Sequence, residues 1–186
     1  VPLLQELNCT VITYNAGCKA NETAVEDRFL QHCQKDVALA VRGNNATLGA
    51  MIDPTGEKAL LIDERGRSIQ GDLYTALLSL LVFREHRGST VAVPVNTTHV
   101  VERLAERYQG KVLRTKAAPR SLMEAELQDP RRHELPMSLE FDGIAALIYL
   151  LDLLATQDLT LGALLEETPT IKIREREIPC PWNYKG

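Results

Sequence analysis

The stretch Thr90–Thr115, TVAVPVNTTHVVERLAERYQGKVLRT, decides the fold. Thr90 to Val95 is a run of β-branched and small apolar side chains, the composition of a strand buried on both faces. From Thr98 to Tyr108 the period changes. Val101, Leu104, Ala105 and Tyr108 recur at the three- and four-residue spacing of one helical face, with Glu102, Arg103, Glu106 and Arg107 between them. Gly110 stops that helix, and Lys111 to Thr115 returns to strand composition. A second helix over Pro119–Leu127 extends the order to β-α-β-α. Short strands alternating with amphipathic helices predict an α/β protein: a three-layer α/β/α arrangement around a mixed, mainly parallel sheet, with helices on both faces.

Upstream, the pattern reads as a second, truncated α/β unit. Leu3, Leu4 and Leu7 have helical spacing, and Cys9–Tyr14 has strand composition. A helix over Ala24–Arg42, capped by Asn21 or Thr23 and stopped by Gly43, carries Val25, Phe29, Leu30, Cys33, Val37 and Val41 on one face. Strands Leu48–Ile52 and Ala59–Ile62 follow, joined by Asp53-Pro54-Thr55-Gly56-Glu57-Lys58 as a hairpin, and Asp63–Arg67 makes another tight turn. The helix-to-strand beginning gives the expectation that an earlier strand precedes the chain. An unpaired sheet edge there invites pairing with a second copy, so a homodimer is expected.

Asp72 is expected to cap a very apolar helix over Leu73–Glu85, and Gly88 to end that segment. Gln128–Glu140 reads as an exposed loop with a short strand at Pro136–Leu139. Phe141–Ala155 is a second very apolar helix, Leu161–Glu167 a short third one, and Thr170–Arg176 a strand before a proline-punctuated exit.

Composition narrows the function classes. With 45% hydrophobic and 25% charged residues the chain is an ordinary globular protein. A net charge of −4 gives no global field to attract nucleic acid or an anionic membrane. The longest apolar run, Gly143–Leu151, is well short of the ~20 residues that span a bilayer. Cys9, Cys18, Cys33 and Cys180 form no C-x-x-C pair and are too sparse for a disulfide scaffold. Buried free thiols and a cytoplasmic location are expected, with the Asn8, Asn21, Asn45 and Asn96 sequons left as chance matches.

Two clusters could carry chemistry. Asp53, Glu57 and Asp63 place three carboxylates on two turns. Either they converge on a hard cation such as Mg²⁺ or they are a solvated hairpin tip. Arg114, Lys116 and Arg120 follow a strand end and precede a helix start, where open parallel sheets place ligands and helix N-termini favour anions. They bind phosphate or are solvated surface, and His133, beside Arg131 and Arg132, either joins the same basic rim or is a surface-loop histidine. G-x-S-x-G, H-E-x-x-H, P-loop and G-x-G-x-x-G motifs are all missing, and Ser121 and Ser138 have no histidine at a suggestive spacing.

The order Leu48–Gly66, with Gly71-Asp72 opening a helix, then Thr90–Val95, Leu113-Arg114-Thr115-Lys116 with Arg120, and Phe141-Asp142-Gly143, resembles the α-D-phosphohexomutases, the family of phosphomannomutase and phosphoglucomutase. The resemblance implies the end of that family's second domain over residues 1–66, its third domain over 67–178 and a linker over 179–186. It further implies transfer of a phosphoryl group from an enzyme serine to a hexose phosphate and back, with Mg²⁺ as cofactor. Lys116, Arg120 and Arg114 would hold the phosphosugar, mannose or glucose phosphate. The family's Asp-Gly-Asp-Ala-Asp-Arg metal loop matches residues 53–58, which leaves Asp53 and Glu57 as a degenerate cation pair with Thr55 where a carboxylate stands. The sugar-reading Gly-Glu-x-Ser-Gly loop has no counterpart between Asp129 and Glu140. The serine and main phosphate loops belong to other domains, so this chain alone is expected not to run the mutase cycle. The ending Ile178-Pro179-Cys180-Pro181-Trp182 with Lys185-Gly186 resembles mutase-like regions fused behind a sugar nucleotidyltransferase of the mannose-1-phosphate guanylyltransferase type, a regulatory or assembly role being the alternative.

Overall fold

A computed structural model describes residues 2–13, 27–53, 55–128, 139 and 141–171. In chain order the elements are α1 (Pro2–Glu6), α2 (Asp27–Gly43), β1 (Leu48–Ile52), β2 (Ala59–Asp63), β3 (Ser68–Ile69), α3 (Asp72–Glu85), β4 (Thr90–Pro94), α4 (Val100–Tyr108), β5 (Lys111–Thr115), α5 (Pro119–Gln128), α6 (Gly143–Gln157) and α7 (Leu161–Glu166).

The βαβ unit forms as its period requires. β4 and β5 pair in parallel, in register from Thr90 opposite Lys111 to Pro94 opposite Thr115. α4 buries Val100, Val101, Leu104 and Ala105, packs on β5 and lies against α3, while α5 packs on both strands. The hairpin forms as well: β1 and β2 pair antiparallel from Leu48 opposite Asp63 to Ile52 opposite Ala59. A third strand, β3, adds to β2 antiparallel, with Leu61 opposite Ile69. The protein is thus mixed α/β with a parallel pair, and its three-stranded sheet is antiparallel.

Alternation along β2 shows how that sheet is covered. Ile62 lies with its partner Gly49 against α2, where a Cβ on Gly49 would stand 2.8 Å from both Val37 and Val41. Leu61 points the other way, into the main core with residues of α3 and α6. Both faces of β2 are therefore buried. The core runs continuously from Ala59 to Leu165, across the boundary between residues 66 and 67.

α3 is apolar all round, and Ala76 through Phe83 are all buried. Each fully buried Leu contributes about 1.5–3 kcal/mol, so burial fixes this helix far more than any cap. Asp72 is not the cap. Gly71, with φ +56°, takes the cap position without a side-chain hydrogen bond, and Asp72 is the first helical residue. There its charge favours the helix dipole, worth about 0.3–1 kcal/mol. α6 has a side-chain cap, Asp142, which accepts from the Ile144 and Ala145 amides.

Three other expectations change. Residues 9–13 form no strand; Thr10, Ile12 and Thr13 are exposed, and β-branched residues without a partner strand gain nothing from extension. Leu139 is helical and almost fully buried, so it belongs to the core rather than to an exposed strand. β4 ends at Pro94 and α4 begins at Val100, which lengthens the loop between them. The proposed caps Asn21 and Thr23, most of Pro136–Leu139 and residues 172–186 lie outside the described residues.

Candidate functional site

The β1–β2 turn closes on itself through Asp53. Its Oδ1 accepts from the Lys58 amide at 3.0 Å, its Oδ2 from the Thr55 hydroxyl at 2.5 Å, and its own N–H donates to the Lys58 carbonyl at 3.0 Å. The Gly56 amide donates to the Asp53 carbonyl at 3.0 Å, and Gly56 turns the chain at φ +79°. Partial burial works to raise the Asp53 pKa. Hydrogen bonds from Lys58, Thr55, Gly56 and Glu57 outweigh it and hold the carboxyl below the usual range.

The three carboxylates do not converge. Asp63 stands at the far end of β2, about 13 Å along the strand from Ala59 at ~3.3 Å per residue. It is fully buried and accepts from the Arg65 and Arg67 amides and the Arg67 Nε, so it ties the β2–β3 turn. Glu57 is exposed. Among the described residues no three His, Cys, Asp or Glu side chains gather as metal ligands. One aspartate bound to its own turn, a neutral Thr55 and the cationic Lys58 do not make the hard-oxygen set that Mg²⁺ requires.

Beside this turn lies an open cleft of about 240 Å³, lined by Lys58, by Gly71, Asp72, Tyr74 and Thr75 at the start of α3, and by Pro94, Asn96 and Thr97 after β4. Pro94 is the last residue of β4, and Asn96 and Thr97 sit past the carboxyl end of this parallel strand, where open α/β sheets present ligand-binding loops. Sequence reading applied that rule after β5 and not after β4, and so missed Asn96 and Thr97. Tyr74 and Thr75 gave no signal, because α3 is apolar on every side.

Arg114 does not line the cleft but ties down the loop that supplies Pro94 and Thr97 to it. Its guanidinium donates twice to Glu102, Nε to Oε1 and one NH₂ group to Oε2, both at 2.7 Å. The remaining donors reach the carbonyls of Pro94 (3.0 Å), Thr97 (2.7 Å) and Thr98 (3.2 Å). This side chain holds the β4–α4 loop onto α4. Arg120 is exposed and paired with Glu124 one turn along α5, and Lys116 is exposed with no partner among the described residues. Lys116 nevertheless follows β5 directly, and Pro94 and Thr115 are register partners, so it stands at the sheet edge that carries the cleft. His133 lies outside the described residues.

The opposite ends of α3 and α4 are pinned. Arg84 bonds Glu167 and Gln157, Arg107 donates to the Glu167 carbonyl at 2.8 Å, and the Tyr108 hydroxyl donates to Glu167 Oε2 at 3.1 Å. Glu64 accepts from the Gly162 amide at 3.0 Å and the Thr160 hydroxyl at 3.2 Å, anchoring α7 to the β2–β3 turn. The cleft thus sits on a scaffold held from its far side. No helix among the described residues is long and apolar enough to cross a membrane.

No protein-family profile matches the sequence. The chain is 32% identical over 127 residues to a phosphoglucomutase/phosphomannomutase of Thermococcus kodakarensis, covering 68% of this chain and 28% of the relative. It is 27% identical over 90 residues to a phosphomannomutase of Methanocaldococcus jannaschii, covering 48% of this chain and 20% of that protein. The chain thus spans less than a third of the length of either relative. Its fold is like the crystal structure of a phosphoglucomutase/phosphomannomutase family protein from Burkholderia thailandensis, with a TM-score of 0.58 at 21% identity over 75% of this chain and 32% of that one. The chain is thus similar in sequence to part of a phosphoglucomutase/phosphomannomutase and of a phosphomannomutase, and in fold to a structure of a protein of that family.

Proposed function

We propose that the chain is the phosphosugar-handling α/β segment of a cytoplasmic phosphohexomutase-like protein, with the end of a second domain at residues 1–66, a third domain at 67–178 and a linker beyond. Hexose phosphates are its ligands, and domains outside this chain complete the site. The observation that carries the reading is the in-register end of β4 and β5, which sets Lys116 next to the cleft lined by Lys58, Asn96 and Thr97. Two ammonium groups beside hydroxyl and amide donors suit a phosphate monoester, which carries about −1.5 to −2 charge at pH 7. Lys116 and Arg120 supply the outer contacts, and Arg114 acts through the loop it holds.

Calorimetric titration of the chain with mannose 1-phosphate and glucose 1-phosphate tests this. Saturable binding lost in a Lys116→Ala, Arg120→Ala double variant is expected. Equal binding by the variant would refute the assignment of Lys116 and Arg120; no heat from the parent chain would sink recognition by this chain alone, and no heat from the full-length protein would refute the reading.

A second reading is a non-catalytic regulatory or assembly module attached to a sugar nucleotidyltransferase. The self-closed Asp53 turn favours it, because that turn lacks the oxygen ligands a phosphoryl-transfer cation needs. Interconversion of glucose 1-phosphate and glucose 6-phosphate by the full-length protein would exclude this role. Binding without turnover would support it.

A further inference from the structure

The loop at 53–58 is where the family resemblance puts Mg²⁺, yet its donors and acceptors are spent on each other. Both Asp53 carboxylate oxygens accept from within the turn, and the Gly56 amide and Asp53 amide close it again through the backbone. A second set of contacts points outward. The Gly56 carbonyl accepts from the Gly143 amide at 2.9 Å, at the first residue of α6. Packing there is close: a Cβ on Gly143 would stand 2.6 Å from the Lys58 carbonyl carbon and 2.9 Å from the Ala59 amide nitrogen. Asp142, immediately before, caps the same helix end through the Ile144 and Ala145 amides.

We infer that the 53–58 turn of this chain is a cation-independent clasp, in which Asp53 fixes the turn so that the Gly56 carbonyl docks the start of α6. The carboxylate that a metal loop offers to a cation is used here to hold two structural elements together. Lys58, whose backbone closes the turn, lines the cleft on the same side, so the positive charge beside the cleft is covalently part of the protein. This inference stands apart from the phosphosugar reading and is tested without a sugar.

Thermal unfolding of the chain is followed in excess Mg²⁺, in excess Mn²⁺ and in excess EDTA. The wild-type melting temperature is expected to be the same in all three. Asp53→Asn keeps one acceptor for the Lys58 amide and loses the acceptor for Thr55, and Thr55→Val removes the donor. Each is expected to lower the melting temperature by about 2–4 °C, by the same amount with cation and with chelator. Amide hydrogen exchange gives the second readout: the Gly143 amide is protected in the wild type and exchanges several-fold faster in Asp53→Asn, with or without Mg²⁺. A melting temperature that rises with cation in the wild type overturns the inference. So does a decrement confined to the cation-containing buffer, an Asp53→Asn decrement of zero in all buffers, or an unchanged Gly143 exchange rate.

Discussion

Replacing Arg114 by Ala separates a positioning role from a ligand-binding one. The guanidinium is about one-fifth exposed and makes two bonds to a Glu102 carboxylate that is about one-third exposed, plus three bonds to loop carbonyls. Hydrogen bonds to charged groups contribute about 1.5–3 kcal/mol each when sheltered. Partial exposure reduces this, and water can satisfy part of what the alanine leaves behind. A loss of about 2–4 kcal/mol follows, equivalent to roughly 5–15 °C in melting temperature for a chain of this size. Arg120→Ala is the control: its i, i+4 pair with Glu124 is almost fully solvated and should cost no more than about 0.5 kcal/mol. Urea unfolding followed by circular dichroism gives both values, with unchanged m confirming that stability alone moved. Arg114→Lys should recover less than half the loss, because an ammonium cannot span Glu102 and the three carbonyls together. An Arg114→Ala value within 0.5 kcal/mol of wild type, or equal to that of Arg120→Ala, would refute the assignment of Arg114 to the scaffold.

Two further outcomes are expected. Gly143→Ala should destabilise the chain by about 1–3 kcal/mol, because the new methyl meets the Lys58–Ala59 backbone, which cannot rotate away as a side chain would; chemical denaturation measures it, and a neutral effect would mean that α6 does not dock there. Tyr149 should titrate late, since burial first, and then Glu85 and Asp152, push its pKa up to about 12. The neutral phenol is favoured in the folded state, so its contribution to stability is complete below pH ~10 and lost as pH rises through 12; tyrosinate absorbance of wild type against Tyr149→Phe checks this, and identical alkaline titrations would contradict it.

Periodicity made the βαβ unit and the hairpin legible, because both report directly on which face is buried. It failed where burial is uniform. α3 carries apolar residues all round, so the sequence indicates that it is covered but not which side meets β2 and which meets α4. β3, only Ser68 and Ile69, is too short to show alternation, and its pairing with β2 follows from the Asp63 turn, which a local pattern does not reveal. Cys9–Tyr14 shows the opposite error. Strand composition describes fitness for a sheet, and without a partner residues 9–13 remain irregular.

The candidate site was legible by place and not by role. The carboxyl end of the parallel strands is where the cleft opens, but a charged residue in sequence carries no label for whether its partners are protein or ligand. Asp53, Asp63 and Arg114 each looked available for chemistry; all five Arg114 donors are used, and both oxygens of each aspartate already accept from their own neighbourhood. Counting partners supplies the missing criterion. A guanidinium with five protein acceptors has no donor left for a phosphate, and a carboxylate fed by a hydroxyl and an amide is a poor ligand for a hydrated cation.

The same count indicates what the cleft should take. Lys58 and Lys116 have no ion-pair partner among the described residues; Lys58 precedes β2 and lines the cleft, Lys116 follows β5, and Asp53 is occupied by its turn. Of the charged residues that line the cleft, Lys58 and Asp72 balance to zero formal charge, and Asn96, Thr75 and Thr97 add neutral hydrogen-bonding groups. On the proposed reading, an anion would draw its attraction from the Lys58 ammonium and not from the net charge of the lining. Because the Lys58 backbone closes the clasped turn, the placement of that residue beside the cleft is built into the fold before any ligand arrives.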